Sequence, residues 1–384
     1  MTWILIYCET DWAKVGTQLI DVKLNRKITV HLLLKLLLLR LTLVFMKINF
    51  LLFATICLAV TSCKQIQQAS IDTNPKNLGI AFYNVENLFD IYDDPNINDE
   101  EFTPQGKKNW TQNRYEEKLN HLSKVIQAMD TFSPDVIGLA EIENLKVLED
   151  LCEQPGLKQM GYKIIHKDSP DGRGIDVALL YNPAKLSLGT VDYIRSTLPV
   201  GSRPQTRLVL HASGTFAGEP IHFYVNHWPS RSGGQRETEA NRLTVAYNVK
   251  ESVSEVIDSN PAALVVLMGD FNDHPNDRSV RQILDACKAQ CELENLMWDL
   301  SKQGKGSYNY KGAWGALDQF IVSPNLVDGS QIEVDMSTVK FVQHDWMMYT
   351  DDKGAQYPNR TYSGPNYYGG YSDHLPIFMR MVVP

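Results

Sequence analysis

From Leu78 onward, apolar runs of strand length alternate with amphipathic stretches and turn clusters. The runs at 78–85 (LGIAFYNV), 135–142, 175–182, 207–212, 221–228, 263–271, 316–323 and 375–383 are rich in Val, Ile, Leu, Phe and Tyr and predict eight strands. Two other segments carry apolar residues at helical spacing: Leu119, Leu122, Val125, Ile126 and Met129 within 114–129, and Leu243, Ala246, Val249, Val253 and Val256 within 237–258. Strands interleaved with helices, without an internal repeat or a second shift of composition, predict one α/β domain over 78–384.

Before residue 64 the pattern changes. Met46-Lys47 opens a short basic start, Ile48–Val60 is apolar, and small residues lead to Cys63. That is signal-peptide anatomy, and its apolar stretch is shorter than the ~20 residues of a spanning helix. Val60-Thr61-Ser62-Cys63 resembles the lipobox of bacterial lipoproteins, which implies cleavage before Cys63 and a lipid on its sulfur. A single anchor starting near His31 and a plain signal peptide are the other readings. Met46 is the better start. Residues 1–45 therefore read as a non-native extension, 46–62 as signal peptide, and the polar stretch 63–77 as a lipid-anchored tether.

Charge sharpens this division. Residues 1–63 hold seven Lys/Arg and three Asp/Glu, a net +4, which leaves −12 of the chain's −8 for the rest of the 384 residues. So acidic a domain does not wrap nucleic acid by bulk charge, although a local basic patch stays open. Beyond Cys63 only Cys152, Cys287 and Cys291 follow. The CKAQC pair, near the end of a predicted helix, reads equally as a disulfide or as two free thiols; no second pair completes a zinc site.

Candidate chemistry sits where strands end. Asn84 and Glu86 close the first strand, and period-two alternation puts them on one side. Glu141, His227, and the pair Asp270 and Asn272 each end another strand; Asp318 starts one, and Asp373-His374 precedes the last. Alone, each is more often a turn former, a helix cap or a structural histidine. Together they form a hard-oxygen set suited to Mg²⁺ or Mn²⁺, with Ca²⁺ as a structural ion, plus two histidines that can move a proton or polarise a phosphoryl oxygen. Such a set suits metal-assisted hydrolysis of a phosphate ester by in-line water attack. No GxSxG elbow or Walker loop supports a serine hydrolase or a P-loop NTPase.

The ordered series YNVENLFD, GLAEIEN, NHWPSR, GDFND, WGALDQF and YSDHLPI resembles the endonuclease/exonuclease/phosphatase superfamily. The resemblance implies a four-layered α/β sandwich, two mixed sheets flanked by helices, with the site at the sheet edges. It implies Glu141 as the principal metal ligand, Asn84 and Glu86 as the first-strand pair, and Asp373 as a further metal-side carboxylate. Asp often stands in the family where this chain has Glu86. Asp270 and Asn272 would orient or deprotonate the water. His374 would bond the phosphate or act as base, oriented by Asp318, and the identity of the base stays open. His227 matches the deoxyribonuclease and sphingomyelinase branches; the tyrosine of the abasic-site branch is missing, which argues against a repair role.

Arg231, Arg236, Arg242, Arg173 and Arg203 are candidates for phosphate contact or, equally, for salt bridges. Tyr362, Tyr367, Tyr368 and Tyr371 crowd a Gly-rich approach to His374 and could stack on a base or pack a loop. The leading expectation is an exported, monomeric, metal-dependent nuclease for extracellular DNA or RNA, tethered to the cell envelope at the outer membrane. The rivals are a phosphatase or phospholipase on inositol phosphates or sphingomyelin, and a non-catalytic surface binding module. A sphingomyelinase would expose an apolar hairpin, for which Trp346–Tyr349 is the candidate.

Overall fold

A computed structural model describes residues 76–199, 205–329 and 331–384; the leader, the tether, Cys63 and Arg203 lie outside them. Six strands form one mixed sheet: β1 (Asn77–Leu88), β2 (Val136–Ile142), β3 (Lys163–His166), β4 (Asp176–Tyr181), β14 (Glu333–Phe341) and β19 (Ile377–Val382), ordered β14-β19-β1-β2-β4-β3. The second sheet has seven: β5 (Ser187–Ile194), β6 (Val209–Phe216), β7 (Glu219–His227), β8 (Leu264–Asp270), β9 (Ala286–Cys287), β10 (Leu293–Asn295) and β13 (Asp318–Val322), ordered β5-β6-β7-β8-β13-β10-β9. In each sheet a parallel pair lies inside antiparallel neighbours: β1 with β2, and β7 with β8. Three two-stranded hairpins complete the strands: β11 (Tyr308–Tyr310) with β12 (Ala313–Gly315), β15 (Met348–Thr350) with β16 (Gln356–Pro358), and β17 (Tyr362–Ser363) with β18 (Asn366–Tyr367).

Alternation along β1 shows why the layers stack. Leu78, Ile80 and Phe82 join a buried cluster with Val225, Met268 and Phe320 of the second sheet. Ala81, Tyr83 and Val85 point the other way, into a cluster with Leu119, Leu122 and Ile126 of α1 (Gln112–Gln127) and with Val147 and Leu151 of α2 (Leu145–Cys152). A third cluster packs Val265 and Leu267 of β8 under Ala246, Val249 and Val253 of α3 (Gln235–Ser259). The order is therefore helix, sheet, sheet, helix, a four-layered α/β sandwich. Each fully buried Leu or Val contributes about 1.5–3 kcal/mol of transfer free energy.

The eight expected strands and both expected helices are present, with ends shifted by a few residues. The edge strands β3, β5 and β14, half-polar and half-exposed, had not been expected. Two expectations are corrected. Cys287 does not end a helix: it lies in β9, after a π-turn at Ser279–Ile283, and is bridged to Cys291. Trp346–Tyr349 is not an exposed apolar hairpin, because Met347 is buried and Trp346 packs on His344 and Tyr371. Among the described residues no helix is long and apolar enough to cross a membrane.

Candidate active site

The polar residues gather where the two parallel pairs end. Gly269 brings β8 against β7: a Cβ there would collide with the Asn226 backbone carbonyl, so only glycine allows this approach. Register sets His227 beside Asp270 across the parallel pair, and Asp318 beside Asp270 across the antiparallel one. Even-numbered positions of β1 face the second sheet, and Asn84 follows that rule. Its side-chain amide donates to Asp270 Oδ2 at 3.2 Å and to Glu141 Oε1 at 3.3 Å.

Alternation then breaks. Glu86, Asn87 and Glu141 have φ of 52°, 54° and 64°, the register slips at the same level of both strands, and Leu88 and Ile142 turn toward the helices. The slip leaves Glu141 at the crevice, where one carboxylate oxygen accepts the Asn87 N–H at 2.9 Å. It turns Glu86 away from Asn84's partners. The Glu86 carboxylate accepts the N–H groups of Thr361 and Tyr362 and the guanidinium of Arg360, which also binds Asp373 at 2.9 Å. Two of the three carboxylates placed by sequence on the metal side, Glu86 and Asp373, thus share one arginine. Buried Lys118 holds the same loop, donating to Thr361 Oγ1 and the Tyr371 carbonyl.

The remaining candidates form one cluster. His374 Nδ1 donates to Asp318 Oδ2 at 2.6 Å, and its Nε2 lies 3.9 Å from Asp270 Oδ2. His227 Nε2 lies 3.7 Å from Asp270 and 4.0 Å from Glu141. Asn272, also left-handed at φ 50°, closes the turn by donating its N–H to Asp270 Oδ1 and its amide to the Trp228 carbonyl. Burial would depress the His374 imidazole, but Asp318 and Asp270 outweigh it and hold it well above its ordinary pKa. His227 is the opposite case: burial, then the charges of Arg207, Arg173 and His374, keep it neutral. Burial raises Asp270 more than His374 lowers it.

A divalent cation suits these donors. Asp270 and Asp318 converge on His374, Glu141 lies beside His227 and is linked to Asp270 by the Asn84 amide, and Asp318 Oδ1 is buried without a hydrogen-bond partner among the described residues. The negative charge, carried by hard oxygens, is what Mg²⁺ or Mn²⁺ would neutralise, with the Glu141 and Asp270 carboxylates in reach to hold it; Asn84 turns its amide nitrogen to them, and its oxygen accepts the Glu86 N–H.

The arginines are mostly structural. Arg231 binds Asp273, Asp277 and the Asn272 carbonyl, and Arg242 is fully buried against Asp273, so neither presents a fork to a phosphate. Arg236 is exposed on the first turn of α3. Arg173 stays half-exposed beside Asp171 and within electrostatic reach of His227. Tyr371 belongs to the helix-side core, stacked between His121 and Trp346, and is no substrate platform.

Sequence reasoning missed Lys118, Arg207, Tyr308 and Arg360. Lys118 could have been found, since it sits on the α1 apolar stripe one turn before Leu122, where an unpaired cation has no place. Arg207 bonds Asp171 and the carbonyls of His227 and Trp228, fixing the end of β7. Tyr308 packs against His374 with ring centroids 5.0 Å apart and planes tilted by 36°. Arg360 lies in an irregular segment, and Tyr308 in a three-residue strand too short to carry a periodic signal.

A sequence model of the Endonuclease/Exonuclease/phosphatase family matches residues 79–382. The fold is similar to a mannosyl-6-phosphatase of Bacteroides thetaiotaomicron (18% identity, 79% of this chain and 99% of that one, TM-score 0.49). It is similar also to the human nocturnin catalytic domain (15%, 81% and 96%, 0.49) and to truncated Caenorhabditis elegans TDP2 (16%, 80% and 98%, 0.48). No curated protein matches the chain.

Proposed function

Because the chain belongs to the endonuclease/exonuclease/phosphatase family and is a metal-dependent hydrolase of phosphoric esters, we propose that it cleaves phosphodiesters, and that these are nucleic acid. The observation that carries this reading is the pairing state of the cations. Arg207, Arg231, Arg242 and Arg360 are each bound to carboxylates of the protein itself. A terminal phosphate dianion or an inositol polyphosphate calls for free guanidinium forks. A diester carries one negative charge, and the His374 imidazolium with one divalent ion suffices to meet it. The buried Met347 removes the apolar surface a sphingomyelinase would use.

In this reading His374 donates from Nε2 to a phosphoryl oxygen, while Asp318 fixes the proton on Nδ1. Asp270, raised by burial, accepts the proton of the attacking water at Oδ2, and Asn272 holds that carboxylate in place. Neutral His227 accepts from the same water at Nε2, and the leaving oxygen takes its proton from solvent. A bound Mg²⁺ or Mn²⁺ would neutralise phosphate charge and make water more acidic. Ca²⁺ would serve only as a structural ion.

We propose further that the protein is a monomeric lipoprotein, lipidated on Cys63 and exported to the outer membrane. The lipobox-like tetrapeptide and the Cys287–Cys291 bridge, which persists in oxidising compartments, support export. The intact mass of the mature protein checks it; a peptide spanning Ser62-Cys63 refutes it.

Substrate is tested with plasmid DNA, RNA, sphingomyelin, inositol phosphates and sugar phosphates under a series of divalent metals. Polynucleotide cleavage that stops with chelator is expected. Release of phosphate from a monoester, with no cut in either polynucleotide, would overturn the nuclease reading.

A further inference from the structure

Beside His374 lies a cleft of about 480 Å³ walled by the β11–β12 and β15–β16 hairpins and the loop after β16. The hairpins are tied together by the Asn309 side chain, which donates to the Gln356 carbonyl. Its lining joins the catalytic cluster: Tyr308 packs against His374, and Arg360 binds Asp373. Its walls carry Tyr310, Tyr349 and Tyr368, all more than half exposed and among the large apolar side chains that stay in solvent. Aromatic rings normally bury; three exposed ones converging on a cleft next to a phosphate site mark a surface that something flat covers.

We propose that this cleft is the base-binding subsite of the enzyme and that the substrate is single-stranded polynucleotide, its unpaired bases stacking on Tyr310, Tyr349 and Tyr368 while the backbone passes Lys311 and Arg360. The inference rests on the nuclease reading. Among the described lining residues Asp373 is the one carboxylate and is bound to Arg360, while Lys311 adds a cation over the Tyr310 ring, so the wall suits a polyanion even though the chain as a whole is acidic. Stacking on tyrosine needs the base face open. A paired base has both faces covered by its neighbours, which is why the cleft selects unpaired strands.

The test uses the full chain with Mg²⁺ and two fluorescent ten-residue strands, both phosphorothioate to slow cleavage, one of thymidylate and one abasic with the same backbone. Anisotropy should show the base-bearing strand bound about tenfold more tightly or better. Tyr310→Ala with Tyr368→Ala should abolish that preference, and Tyr310→Phe with Tyr368→Phe should keep it, since the ring and not the hydroxyl does the stacking. Equal binding of the two strands by the natural chain, or a preference that survives both alanines, overturns the subsite. Both substitutions are on the surface, so an unchanged melting temperature separates lost stacking from lost folding. Cleavage of an ordinary phosphodiester strand, measured alongside, reports the nuclease reading separately. Cleavage without base preference removes the subsite alone, and base preference without cleavage supports the subsite while removing the nuclease.

Discussion

Asp318→Asn is the most incisive change the site allows. The native carboxylate is fully buried, and its Oδ2 accepts from His374 Nδ1 at 2.6 Å. The amide is nearly isosteric but removes the charge that keeps His374 protonated. Charge centres ~4 Å apart at an effective dielectric of ~20 interact by about 4 kcal/mol, or roughly a thousandfold in the proton-binding constant. Asp270, at 3.9 Å from Nε2, recovers part of that. With burial then unopposed by Asp318, His374 should be neutral at pH 7. The Asn amide also donates toward Nδ1, which forces the proton to Nε2 or turns the ring. Turnover on a diester at saturating Mg²⁺ should fall by ~10²–10⁴-fold. The pH–rate limb belonging to His374 should move to lower pH, and a ¹⁵N histidine titration should move with it. A variant with native rate and an unmoved His374 titration would refute the assignment of His374 as the charged donor.

Three further outcomes follow from the same geometry. Glu141→Gln should weaken Mg²⁺ binding by at least tenfold and leave melting in chelator unchanged; calorimetric titration with Mg²⁺ checks this, and unchanged affinity removes Glu141 from the ion's ligands. Burial pushes Asp171 up, but Arg207, the Arg173 N–H and the Arg173 charge together hold it below the ordinary carboxylate range, so these pairings contribute stability that is fully present above the unfolded-state value near 4 and is lost as pH falls through the lower folded value. Asp171→Asn should therefore cost ~3–5 kcal/mol at pH 7 by leaving a buried guanidinium unpaired, and much less near pH 2; parallel urea curves at the two pH values would disprove it. Gly269→Ala should destabilise by several kcal/mol or prevent folding, because the obstacle is the Asn226 backbone and not a movable side chain. A native melting temperature in that variant would contradict the close approach of β7 and β8.

The central strands and both long helices were legible because their outward or helical periodicity is unbroken: Ile80 and Phe82 against Ala81 and Tyr83, Leu119 with Leu122 and Ile126. The strand-end residues Asn84, Glu141, His227, Asp270, Asp318 and His374 stood out by their number: each alone is weak, but six polar side chains bordering apolar runs in one chain are hard to explain as turns and caps. Glu86 misled, since alternation cannot see a left-handed residue of ordinary composition. Arg231 and Tyr371 misled for another reason: their partners, Asp273 and Asp277 for one and His121 and Trp346 for the other, are distant in sequence. Arg360 stayed hidden in a loop and Tyr308 in a three-residue strand, because tertiary contact alone places both at the site.

The left-handed residues Asn87, Glu141 and Asn272 border the crevice, with left-handed Glu86 turned behind it, and each such non-glycine position costs on the order of 1–3 kcal/mol, least for asparagine. The fold would be more stable without its site. Glycine at position 87, where no side chain is needed in the crevice, should raise the melting temperature, whereas glycine at 141 would relieve strain only by deleting the carboxylate. A search for hardier variants that screened on stability alone would drift toward dead enzymes. The strand ends are where this chain trades durability against chemistry.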